Sequence, residues 1–140
     1  MNKKFLLLLK RPRACVLIFF LLYFALGVSI YKDYGISWDE PWHREIASVS
    51  AKYMASIFMP DFQPPEFASL PALATYPMKQ YGIVFDFPMY VADNLLGYNG
   101  TMPEAYYLRH LCAFLLFYVS VFFFYLIVRN RFDSRALGLT

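Results

Sequence analysis

Two uninterrupted apolar blocks, residues 14–31 and 111–128, constrain this chain more than any other feature. Each is eighteen residues long and contains no Asp, Glu, Lys or Arg. As a helix, at ~1.5 Å rise per residue, each covers about 27 Å, close to the ~30 Å hydrocarbon thickness of a bilayer. They predict an all-α membrane protein with two transmembrane helices joined by a long extracytoplasmic loop, 32–110. The composition points the same way: 59% of residues are hydrophobic and only 16% charged, an unusual balance for a water-soluble domain.

Charge fixes the expected orientation. Lys3, Lys4, Lys10, Arg11 and Arg13 precede the first block, and Arg129, Arg131 and Arg135 follow the second. Between them, the loop 32–110 holds five Lys or Arg and nine Asp or Glu. Basic flanks stay on the cytoplasmic side, so 1–13 and 129–140 are expected in the cytoplasm and the loop outside, with the inner membrane of a bacterium as the expected location. A signal peptide is the competing reading of the first block, with Gly27-Val28-Ser29 as a small-x-small site; the loop lies outside on either reading. The net charge of +3 resides in the membrane flanks, and no basic-aromatic patch suggests a nucleic-acid partner. Cys15 and Cys112 belong to opposite membrane faces, which excludes a disulfide between them.

Within the loop, Pro41 suits the first position of a helix. Trp42, Ile46, Val49, Tyr53 and Ile57 then follow at helical spacing, predicting an amphipathic surface helix near 41–58. Pro60, Pro64, Pro65, Pro71 and Pro77 forbid a long helix across the next stretch. A second surface helix is predicted near 88–97, from Pro88 to Gly97. Thr101-Met102-Pro103-Glu104 has the pattern of a capping box ahead of the second span. Beyond Arg135 the chain turns apolar again, like the start of a third span cut short, and the expectation is an N-terminal portion of a longer protein.

Chemistry concentrates in Ser37-Trp38-Asp39-Glu40-Pro41, just outside the first span. Transfer to a hydroxyl acceptor needs a base, and a carboxylate pair at the membrane surface supplies one. The helix N-terminus favours the ionised carboxylates, whereas a membrane cleft favours the neutral ones. The plainer reading is a helix cap with acidic residues in the first turn. His43, four residues after Asp39, shares a helical face with it, although a solvated histidine is the commoner outcome. The sequence carries no Cys-x-x-Cys, His-Glu-x-x-His, phosphate-binding glycine loop or Gly-x-Ser-x-Gly. With two histidines, a histidine-based metal site has little support.

Ile36-Ser37-Trp38-Asp39-Glu40-Pro41 directly after a first span resembles the Asp-Glu element of GT-C membrane glycosyltransferases, in particular the protein mannosyltransferase, aminoarabinose transferase and bacterial family 39-like groups. Tyr81-Gly82-Ile83-Val84-Phe85-Asp86-Phe87-Pro88 is similar to their second loop element. Tyr107-Leu108-Arg109-His110-Leu111, with the aromatic span and basic exit, is similar to their second transmembrane helix. The resemblance implies transfer of a sugar from a polyprenyl-phosphate donor to an acceptor on the outer face. It implies Asp39 as the base and Glu40 as the group that binds the acceptor or positions Asp39. Lys79 and Arg109 would meet the donor phosphate, against plainer readings as a solvated loop charge and a snorkelling interface residue. Asp86 and His43 are further candidates for substrate contact. No cofactor is implied beyond the lipid-linked donor, and a divalent metal has no support in the residues. Family members are far longer, so the 140 residues are expected to be inactive alone.

Two other classes fit parts of the pattern. A two-span assembly or interaction subunit accounts for the surface helices without catalysis. A transporter fragment fits less well, because neither span holds a charged residue at mid-depth.

Overall fold

The computed structural model describes residues 12–132. The basic segment 1–11 and the stretch 133–140, with its expected third span, lie outside the described residues. Helices α1 (Pro12–Ile30), α2 (Glu40–Phe58), α3 (Asp86–Leu96) and α4 (Pro103–Phe132) follow in order, with two short 3-10 turns, Pro65–Ser69 and Leu73–Thr75, between α2 and α3. No strand occurs among the described residues. The chain divides into two compact units, Gly35–Arg109 and the segments on either side of it.

In the flanking unit, α1 and the part of α4 from His110 onward are long and apolar enough to cross a membrane by length and composition. The second helix begins eight residues before the apolar block at 111–128, so one continuous helix carries both loop and span residues. Contact between the helices is aromatic. Phe20 is buried and meets Tyr118, Phe122 and Tyr125 edge to face at 5.4–5.9 Å. The Tyr118 hydroxyl donates to the Phe20 carbonyl at 3.2 Å. Gly27 permits a close approach here: a Cβ at this position would run into the Phe114 ring unless the ring moved. Cys15 and Cys112 form no disulfide.

The Gly35–Arg109 unit is built on α2 packed against α3. Ile46, Val49 and Tyr76 form one buried cluster, with Leu70, Leu73, Met78 and Ile83 against it. Ala51, Ala55 and Phe67 form another, covered by Leu70, Phe87 and Tyr90. The buried face of α2 is therefore turned from the expected stripe toward Ala47, Ala51 and Ala55. Ile46 and Val49 are buried, while Trp42, Tyr53 and Ile57 stay about half exposed. Small side chains let the phenylalanines and Tyr90 approach the α2 backbone closely, which a stripe of large residues does not allow.

The proline-rich stretch folds as the two 3-10 turns, which need few internal hydrogen bonds. Lys52 ties them to α2 by donating to the Leu70 carbonyl at 2.6 Å. Helix α3 ends at Gly97, whose φ of 72° is left-handed. Tyr98 N–H donates to the Asp93 carbonyl and Gly97 N–H to the Asn94 carbonyl, the paired closure that favours glycine at this position. The expected capping box does not form. Helix α4 begins at Pro103, and Thr101 instead gives both its N–H and its hydroxyl to the Asn99 side chain, at 3.0 and 2.6 Å. The Asx-type turn at Asn99 competes locally for the threonine.

Candidate functional site

The start of α2 places the carboxylate pair. Asp39 precedes the helix with φ −93° and ψ −16°, and its side chain caps none of the helix N–H groups. The Ser37 hydroxyl donates to Asp39 Oδ1 at 2.7 Å, and the Ser37 backbone N–H donates to Glu40 Oε2 at 2.9 Å. Asp39 thus occupies the cap position without its side chain bonding a helix N–H, and Glu40 is the acidic residue of the first turn. Glu40 closes a turn back onto Ser37, as the glutamate of a capping box does. Pro41, expected at the first position of the helix, is its second residue, after Glu40.

Asp39 is exposed. The Ser37 hydroxyl, and after it a backbone hydrogen bond, hold its carboxyl below the ordinary value, with a smaller pull from His43. Hydrogen bonding to the ionised form outweighs the desolvation that opposes it.

One turn along α2, His43 connects this carboxylate to the interior. Its Nε2 lies 3.8 Å from Asp39 Oδ2, and its Nδ1 lies 3.0 Å from Asp86 Oδ2. Asp86, the first residue of α3, is buried, and its other oxygen accepts from Arg109 Nη1 at 2.8 Å. Arg109 is itself buried, on the first part of α4. The order is Asp39, His43, Asp86, Arg109, running from surface to core. Asp86, expected at the substrate, has both oxygens committed to protein partners. Arg109, expected at the mouth of the second span, is an interior counter-ion.

A parallel pair lies alongside. Arg44 Nη1 donates to Asp93 Oδ2 at 2.8 Å, and the Arg44 guanidinium lies over the Tyr106 ring, 5.4 Å from its centroid. Burial pushes the Asp93 carboxyl above its ordinary value despite the opposing pull of Arg44 and Arg109. Asp93 Oδ1 and Arg109 Nε and Nη2 have no hydrogen-bond partner among the described residues. Both residues line a polar groove of about 420 Å³ with Arg44 and Ser48. Buried polar atoms of this kind are ordinarily met by water.

Asp39 and His43 open into a different groove, of about 320 Å³, walled by Trp38, Trp42, Met78 and Tyr81. Trp38 is 88% exposed, so its indole face is offered to whatever enters. The Tyr81 ring meets the His43 ring edge to face at 5.9 Å. Lys79 is not among the lining residues. Its ammonium group, exposed in the loop before α3, donates to the Ala74 carbonyl at 2.5 Å. Among the described residues no group of three or more His, Cys, Asp or Glu is arranged to hold a metal ion.

Asp39, Glu40 and His43 are therefore brought together with Asp86 and Arg109, and Lys79 stands apart. Sequence reading did not anticipate the Arg44–Asp93 pair or the inward linkage of His43. Their partners lie 49 and 43 residues away, beyond any local spacing rule. Compared with protein-family models, curated proteins and solved structures, the chain matches none.

Proposed function

We propose that this chain serves a membrane glycosyltransferase, moving a sugar from a polyprenyl-phosphate donor to an acceptor hydroxyl at the outer membrane surface. The observation that carries the reading is the groove at the start of α2: an exposed carboxylate, favoured in its ionised form and released from helix capping, beside the rings of Trp38, Trp42 and Tyr81. A sugar ring presents C–H faces that stack on aromatic rings and hydroxyls that donate to carboxylates. In this reading Asp39 takes the proton of the acceptor hydroxyl and Glu40 fixes the turn that aims it. Lys79 retains ammonium hydrogens beyond the one given to Ala74, and offers them to the donor phosphate.

The membrane setting rests on α1 and α4. Leu17, Leu21, Leu22, Leu116, Phe117, Phe123 and Phe124 are all exposed, a surface that suits lipid better than water. With both basic flanks in the cytoplasm, the groove faces outward. Labelling an introduced Ser69→Cys from outside intact cells tests this orientation. Labelling that requires permeabilisation would remove the outward-facing site.

The decisive experiment is Asp39→Asn in the full-length protein. Asparagine keeps the size of the side chain but cannot take up the proton. Turnover is expected to fall ~10²–10⁴-fold, the usual worth of a positioned base, with expression and membrane insertion unchanged. Near-normal turnover would discard the functional reading of the carboxylate.

A further inference from the structure

Building on the glycosyl-transfer reading, we propose that His43 is where the acceptor's proton comes to rest, and that buried Asp86 positions the imidazole for this task. The geometry begins at the core. Asp86 holds Arg109 with one oxygen at 2.8 Å and His43 Nδ1 with the other at 3.0 Å. A carboxylate paired with a guanidinium only accepts hydrogen bonds, so Nδ1 must carry the hydrogen. The neutral ring is left with its lone pair on Nε2. That atom faces Asp39, and His43 lines the aromatic groove. A histidine serving only the core would turn both nitrogens inward, yet the His43 side chain is 34% exposed.

Asp39 by itself holds a proton poorly, since Ser37 and the backbone favour its ionised form. His43 Nε2 offers a lone pair beside it. The separation of 3.8 Å between Asp39 Oδ2 and His43 Nε2 exceeds a direct hydrogen bond. A single water, or rotation of the exposed Asp39 side chain, spans it.

In the step itself, the acceptor oxygen forms a bond to the anomeric carbon. The bond from that carbon to the phosphate oxygen breaks, and polyprenyl phosphate leaves with the electron pair. The acceptor's proton passes by way of Asp39 to His43 Nε2, and Asp39 returns to its ionised form. The resulting imidazolium lies between two carboxylates. The groups facing it are Asp39 from the start of its own helix, Tyr81 from the preceding loop, and Asp86 from α3 with Arg109 of α4 behind.

Nitrogen-15 spectroscopy of histidine-labelled protein in lipid nanodiscs tests the arrangement without any substrate. The neutral His43 ring is expected to carry its hydrogen on Nδ1, and Asp86→Asn is expected to abolish that preference. A ring protonated on Nε2, or one indifferent to Asp86→Asn, would overturn the proposal whatever the protein catalyses. In a transfer assay on the full-length protein, His43→Gln should lower kcat ~10²-fold or more with KM unchanged. Wild-type kcat in this variant would also overturn the proposal. If the unaltered protein transfers no sugar from a polyprenyl-phosphate donor, the glycosyltransferase reading falls, and the tautomer measurement still decides the Asp86–His43 arrangement.

Discussion

In the unit that flanks the loop, ring meets ring: Phe20 against Tyr118, Phe122 and Tyr125, and Tyr23 against Phe114 and Tyr118. In Gly35–Arg109, small residues close the helix packing and charges are taken inside, with Asp86, Asp93 and Arg109 all buried. The difference follows from what each part of the chain can exploit. The two long apolar helices hold few polar groups to pair, so they meet through the shape and contact of their rings. A unit of 75 residues has only a small apolar core, and it depends more on specific pairs, each costly to leave half made. Aromatic contacts tolerate substitution of one ring by another, whereas a buried ion pair tolerates almost nothing. The chemistry of the candidate groove therefore stands on the less forgiving of the two frameworks.

The strongest way to break this contrast is Arg109→Ala. It leaves Asp86 buried without its counter-ion, and such a loss costs about 3–5 kcal/mol. Hydrogen exchange should show Gly35–Arg109 opening while α1 and the apolar part of α4 stay protected. Equal loss of protection in both units would refute the separation. Phe20→Ala probes the opposite side of the comparison. It removes three edge-to-face pairs across the helices and a fourth with Phe19, worth ~0.5–1.5 kcal/mol each, for an expected loss of about 3 kcal/mol. Protease resistance of the loop should be unaffected.

A smaller effect is expected at Tyr76. Burial first, and then the Glu45 carboxylate, push its phenol up to about 12. The folded value lies above the ordinary one, so the stability it confers is complete below pH ~10 and is lost as pH climbs toward the folded value. Ultraviolet titration should show a late-ionising phenol that disappears in Tyr76→Phe. Loss of the late phase only on unfolding, with no change in the variant, would assign it to another tyrosine. The smallest effect belongs to Gly27→Ala. A Cβ there requires the Phe114 ring to move, and overpacking of ~1–3 kcal/mol is offset by the ~1 kcal/mol gained in helix propensity. Gly27→Leu should separate α1 from α4, as read by cross-linking. Association unchanged by leucine would show that the close approach at Gly27 contributes nothing.

Much of the architecture was legible in the chain. The 3.6-residue period and Pro41 point to α2, the single Gly97 to the end of α3, and two charge-free blocks to the long helices. The orientation of α2 was not legible, because its stripe of large residues competes with the line of Ala47, Ala51 and Ala55, and only α3 decides between them. Thr101 and Glu104 carried a pattern that Asn99 overrode two residues away. Asp39 and Glu40 stood out by their adjacency, and Asp39 was legible as a candidate before its surroundings were. Arg109 looked like an interface residue because its partner, Asp86, lies 23 residues earlier in another helix.

By itself, then, the sequence determined the helical class, the two apolar helices and the location of the carboxylate pair, since these depend on periodicity, length and neighbours a few residues apart. Only the tertiary structure decided that His43 turns one nitrogen inward to Asp86, and that Asp86 and Arg109 neutralise each other in the core. Electrostatic pairing depends on distance in space, and these partners are separated by 43 and 23 residues along the chain.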